Sequence, residues 1–250
     1  NGFTLGNYAG VNTASYTYVA WNWKAGGAPS INTDGQNTSA LVSANPAAGF
    51  SIATFTGNGT NGSSVGHGLN AVPELWIWKR TSVAASDWSV AGKDINNYQG
   101  YLTLNGTGTP TIDTAMLAPD SSKIKFPLGS PTFNGSGQDA IIYSWHSIAG
   151  YSKVGTYTGL GSGGPLTVNM GFAPTLGLIK RTDSTGGWRM FDTVRGTDKS
   201  LQANSSAAEY DDVSNYIDFT STGFYFSTSQ ANPDINAAGG TYIYLAIKEN

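Results

Sequence analysis

Three stretches of this chain end in the same pattern, and that recurrence limits the fold more than any single residue does. Tyr18-Val19-Ala20-Trp21-Asn22-Trp23-Lys24, Ala140-Ile141-Ile142-Tyr143-Ser144-Trp145-His146 and Tyr242-Ile243-Tyr244-Leu245-Ala246-Ile247-Lys248 align without a gap. Each alternates apolar positions and closes on a lysine or histidine. The last two copies are 102 residues apart and the first two 122, the longer interval holding an extra Gly/Ser/Asn-rich stretch. A period of this length is too long for a solenoid repeat and matches a small domain.

Further matches follow in the same order. Gly49-Phe50-Ser51 answers Gly150-Tyr151-Ser152, and Thr54-Phe55-Thr56-Gly57 answers Thr156-Tyr157-Thr158-Gly159. Pro73-Glu74-Leu75-Trp76-Ile77-Trp78-Lys79-Arg80-Thr81 answers the run from Pro174 to Thr182, and Trp88 answers Trp188. The sequence therefore reads as the terminal strands of an incomplete repeat over residues 1–24, a linker with a β-hairpin over 25–48, and two units over 49–148 and 149–250. In the linker, Thr33-Asp34-Gly35 is the expected turn and Leu41-Val42 the expected strand. Residue 1 is Asn in mid-repeat, so no intact signal peptide is visible and the chain reads as a fragment or a processed product.

The units read as β-structure. Gly or Asn interrupts almost every window of ten residues, and no long stretch places apolar residues at three- and four-residue spacing. Short β-branched and aromatic runs between Gly/Asn/Ser clusters predict an all-β fold of tandem antiparallel β-sandwich units. In the recurring strand, Val19, Trp21 and Trp23 share a face with the positions of Ile141, Tyr143 and Trp145 and of Ile243, Leu245 and Ile247; this is the expected core face. The opposite face is mixed. After Pro73, the strand carries Trp76 and Trp78 where the second unit has Gly177 and Ile179, so Trp76 is expected to be dispensable for folding.

Composition excludes several classes of partner. Charged residues make up 12% of the chain and the net charge is −3, with no basic cluster, so nucleic acid is not an expected partner. No apolar run is long enough to insert in a bilayer as a helix. With no cysteine, neither disulfides nor thiolate metal sites can support the fold. No phosphate loop, dinucleotide fingerprint, nucleophile elbow or zinc motif is present, and no cofactor, metal or catalytic residue is expected. His67 lies in a glycine-rich turn, but its counterpart is Met170 and His146 is the only other histidine; it reads as a structural turn residue. The glutamates are Glu74, Glu209 and Glu249. Asp113 and Asp120 read as turn caps rather than as the facing carboxylates of a glycosidase, and Asp211-Asp212 lacks the alternating acidic loop of a calcium site.

Aromatic residues in polar settings are the one positive sign of binding. Trp76, Tyr98 and Tyr210 are expected to be exposed beside Asn, Asp and Gln, which is what a neutral sugar needs for stacking and for its hydroxyls. The competing reading is that these rings pack against a neighbouring unit or chain. Val19, Trp21 and Trp23 present a core-type face without the rest of their unit, so they are expected to pair with a sheet of the first unit or of another subunit.

The run from Tyr18 to Gly27, with Gly49-Phe50-Ser51-Ile52, Thr56-Gly57-Asn58-Gly59, Val65-Gly66-His67-Gly68-Leu69 and Pro73 to Arg80, resembles a domain repeated in virion structural and tail-fibre-like proteins of marine phages, cyanophages included. The resemblance covers the first 80 residues well, persists in Tyr157-Thr158-Gly159 and from Pro174 to Arg181, and loses the histidine in the second unit. It implies a jelly-roll or lectin-like sandwich on a virion surface or otherwise extracellular, without enzymatic activity, self-associating as a homo-oligomer. A homotrimer is the form common in viral fibres, although no heptad segment is present. Other virion proteins and host-surface glycans are the implied partners. A head-decorating protein, a bacterial surface adhesin and a polysaccharide depolymerase are the alternatives.

Overall fold

The computed structural model describes residues 2–128, 131–211 and 217–249. Strand accounts for 36% of the described residues and helix for 5%. Among the described residues no helix is long and apolar enough to cross a membrane. The strands are β1 (Ser30–Asn32), β2 (Ala40–Asn45), β3 (Phe50–Thr56), β4 (Ser64–Gly66), β5 (Leu75–Arg80), β6 (Ser89–Gly92), β7 (Gly100–Thr103), β8 (Thr111–Ile112), β9 (Lys123–Lys125) and β10 (Asp139–Trp145) in the first half. The second half contributes β11 (Ser152–Thr158), β12 (Leu166–Asn169), β13 (Leu176–Arg181), β14 (Trp188–Asp192), β15 (Lys199–Ser200), β16 (Tyr210–Asp211), β17 (Ile217–Phe219), β18 (Gly223–Phe226) and β19 (Thr241–Ile247).

Two large antiparallel sheets form the middle of the molecule. One runs β1-β2-β3-β10-β5-β6-β7-β8 and the other β11-β19-β13-β14. Counted within each half, the order β3-β10-β5-β6 is the order β11-β19-β13-β14. The last strand of each half lies in the interior of its sheet: β10 pairs with β3 from Trp145 opposite Phe50 to Asp139 opposite Thr56, and β19 pairs with β11 from Ile247 opposite Ser152 to Thr241 opposite Thr158. Smaller sheets, β4-β9 and β12-β18-β17, cover the outer faces.

Alternation along the strands sends side chains into three cores. Trp76, Trp78, Ile142 and Phe55 meet Val65, Ile124 and Phe126 beneath β4-β9. Ile179, Tyr242, Tyr244 and Tyr157 meet Val168, Phe224 and Phe226 beneath β12-β18-β17. Between the large sheets, Phe50, Leu75, Ile77 and Trp145 of the first half pack on Leu178, Trp188, Ile243, Leu245 and Ile247 of the second. The face expected to be the core of each unit is thus the one that joins the two halves. The face expected to be mixed is the internal core of each sandwich. Polar bonds support the junction: Trp188 Nε1 donates to Thr103 O (2.9 Å) and Gly186 N to Thr107 O (2.9 Å).

Two expectations about the first 48 residues change. Residues 25–48 hold the β1–β2 hairpin, with Ser30 opposite Val42, and β2 pairs with β3; the stretch is an edge of the sheet and not a spacer. Residues 18–24 form no strand. The central place that their sequence suits is already held by β10 in one sheet and β19 in the other.

Candidate functional site

The three aromatic residues singled out for sugar stacking lie in different surroundings. Trp76 is 2% exposed, on the β5 face that β4-β9 covers, and its ring stacks on Tyr98 at 5.9 Å between centroids and 17° between planes. Asn96, Asn97 and Tyr98 take consecutive left-handed conformations (φ 49°, 50° and 69°). This uncommon run for residues with side chains curls the loop back on itself, and the half-buried Tyr98 donates its hydroxyl to Pro73 O (3.3 Å). Neither Trp76 nor Tyr98 is the exposed ring expected. Glycine at position 177 did not report exposure: a Cβ there would lie 2.8 Å from Phe224 Cζ, so the Phe224 ring occupies the corresponding space in the second half.

Tyr210 is exposed, on β16 at the rim of the second half. One ring face is covered by the Arg189 guanidinium, 4.4 Å from the centroid. Arg189 is itself fixed by Asp234 (2.8 Å) and by a bond to Ser200 Oγ (3.2 Å). The depression beside Tyr210, lined by Arg189, Phe191, Asp198 and Ser200, measures about 30 Å³. That is the volume of one water molecule and excludes a sugar ring. Asp211 lies 3.7 Å from Lys199 Nζ, and Asp212 is outside the described residues.

A larger concavity lies between the two large sheets. It holds about 420 Å³ and is lined by Trp21, Trp23, Trp88, Tyr143, Trp145 and Met190, among others. Trp23 packs on Phe50 and Trp145, at 6.4 and 6.1 Å between centroids. Trp21 donates Nε1 to Asp192 Oδ2 (3.1 Å), and Arg195 lies over its ring at 5.5 Å. Trp21 and Trp23 therefore lie across the junction of the halves through side chains alone, with no strand ladder. Burial pushes the Asp192 carboxyl up, but bonds from Arg195 and Trp21 outweigh it and hold the group below its ordinary value. Sequence reading assigned Trp145 and Tyr143 to a core, and only the stacking of two sheets leaves part of that face open.

The residues with chemistry to offer close turns instead. His67 is fully buried; its Nδ1 accepts from Leu69 N (3.1 Å), which puts the proton on Nε2, and that nitrogen donates to Asp120 O (3.1 Å). Burial lowers its pKa, so the ring is neutral near pH 7. Asp113 accepts from Ala115 N (3.0 Å). Asp120 accepts from Ser122 N and Lys123 N (both 3.0 Å) and pairs with Lys125 (3.1 Å). Burial raises Asp120, and these bonds reverse the shift and hold it well below the carboxylate range. Glu74 accepts from both the amide (2.6 Å) and the hydroxyl of Ser147, whose Oγ accepts from Val154 N (3.0 Å); the carboxylate fixes the turn between the halves. Among the described residues, no group of three or more histidines and carboxylates is placed to hold a metal ion.

No curated protein matches this chain, and no solved structure matches it. The family model described as Domain of unknown function (DUF7483) matches residues 1–250, and the chain belongs to that family.

Proposed function

We propose that this chain is a non-enzymatic structural module of a phage virion, a fibre or appendage unit that contributes to contact with the host surface. One observation carries the non-enzymatic part. His67, Asp113, Asp120 and Glu74 spend their hydrogen-bonding capacity on backbone amides, carbonyls and a serine of the fold itself, which is the role of a turn cap and not of a general acid or base. The resemblance of residues 18–80 to repeated domains of marine phage virion proteins supports the location. A low-charge, Gly/Ser/Thr/Asn-rich surface suits display outside a cell.

Contact with glycan, in this reading, falls to Tyr210 or to the junction tryptophans, since Trp76 is buried. The experiment is immunogold labelling of purified particles with an antibody against this chain, alongside glycan-array binding of the parent and of Tyr210→Ala and Trp21→Ala. Label on tail or fibre is the expected result. Label confined to the head favours the decorating role, and particles without the chain overturn the proposal. New reducing ends released from host polysaccharide would revive the depolymerase reading.

A further inference from the structure

The two large sheets differ at one edge. In the first half, the outer side of β3 carries β2, paired from Asn45 opposite Phe50 to Leu41 opposite Thr54. β11 holds the same place beside the central strand of the second half, and among the described residues no strand lies on its outer side. Val154 N turns outward to Ser147 Oγ, so the amides of Thr156 and Thr158 face the same way. Among the described residues, neither amide has a backbone partner on that side, and both threonines are exposed.

A groove of about 340 Å³ runs along this edge, between β11 and β12, with Lys93, Gly155, Tyr157, Leu166, Val168 and Tyr244 in its lining. In the first half the corresponding space is filled, because β2 lies against both β3 and β4. The second half thus has the bed of a strand without the strand.

The same chain carries a segment fit to occupy it. Residues 2–8 are in no helix or strand, and Phe3, Leu5 and Tyr8 are 60%, 45% and 76% exposed. The helical turn that follows, Ala9–Asn12, buries nothing. In extended form Phe3 and Leu5 project from one side, matching the apolar Leu166 and Val168 of the groove.

We infer that β11 is a strand-accepting edge and that residues 2–8 of a second copy of this chain are the strand it takes. Strand addition supplies main-chain hydrogen bonds for affinity and alternate side-chain pockets for register. Donor and acceptor are different surfaces, so the contact is head-to-tail and propagates into a row or a ring of copies. The inference rests on the reading of the chain as an assembly module.

The test is sedimentation velocity with amide hydrogen exchange on the 250-residue chain. Mass is expected to rise with concentration, and exchange at Thr156 and Thr158 to slow by about tenfold or more between dilute and concentrated samples. Deletion of residues 2–8 should abolish both effects with near-UV circular dichroism unchanged; Thr156→Pro, which removes the outward amide and leaves Thr158 to report exchange, should abolish association and the slowing at Thr158. The deletion decides the matter if the proline variant does not fold. A single-copy species at about 1 mM with fast exchange at Thr156 overturns the inference, as does association that survives both changes. Slow exchange at every concentration in a single copy shows the edge filled from within the chain and also overturns it. Each of these results leaves the particle-labelling outcome untouched, so the two readings fail separately.

Discussion

The β5 and β13 strands hold the same place in their sheets and solve the same packing problem with different residues. On β5, Trp76 and Trp78 carry the bulk, and Trp78 stacks on Phe133 at 4.0 Å between centroids. On β13 the equivalent residues are Gly177 and Ile179, and the bulk comes from the neighbours: Phe224 packs on Phe219 (5.0 Å) and Tyr244 (5.6 Å), and Tyr157 stacks on Tyr242 (4.9 Å). Volume is balanced across a layer, not position by position. A glycine aligned with a tryptophan therefore says nothing about whether the tryptophan is exposed.

The sharpest way to break this comparison is Trp76→Ala. Removing a 2% exposed indole should lower stability by about 3–5 kcal/mol, read from the denaturant midpoint at constant slope. A change below 1 kcal/mol would return Trp76 to the surface. The reciprocal change, Gly177→Ala, places a methyl carbon 2.8 Å from Phe224 Cζ and should cost about 1–3 kcal/mol through displacement of that ring. A neutral result would mean that the second core has room that the first lacks.

The lysines of these strands refine the comparison further. Lys79 is half-buried, with Nζ donating to Ser86 O (2.7 Å) and lying 5.3 Å from the Trp88 ring centroid. Lys180 is fully buried, with Nζ donating to Arg181 O (2.7 Å) and to Thr107 O of the first half (3.4 Å). Burial brings Lys180 down to about 8 from 10.5. Below pH 8 the folded state bears the cost of a buried charge. Between pH 8 and 10.5 the folded chain holds fewer protons than the unfolded chain, so this cost is relieved and stability rises. Lys180→Met should remove that rise. Relative to the parent, the variant should lose about 1–3 kcal/mol between pH 7 and 10.5, as measured by urea unfolding across that range.

Strand type was legible because alternation and turn residues are local signals. The assignment of faces was not. In β10 and β19 both faces pack on another layer, one on a small sheet and one on the opposite half, so alternation cannot tell an internal core from a junction. The match of Gly49-Phe50-Ser51 with Gly150-Tyr151-Ser152 was also one residue out of step. Phe50 stands opposite Trp145, and Ser152 opposite Ile247, which makes Phe50 the counterpart of Ser152 and not of Tyr151. A shift of one residue exchanges the faces of a strand. Of the candidate site, His67 was legible as a turn residue because no second histidine or acid accompanied it. The junction concavity was not, since its walls come from strands more than a hundred residues apart.

The position of β10 and β19 fixes an order of events during synthesis. Each is the last strand made in its half and an interior strand of its sheet. Until β19 leaves the ribosome, β11 and β13 have no partner between them, and Phe224 lacks Tyr244, on which it packs. Each half must therefore wait for its final seven-residue strand, and its sheet closes in one late step between segments distant in sequence, the kind of contact that makes folding slow.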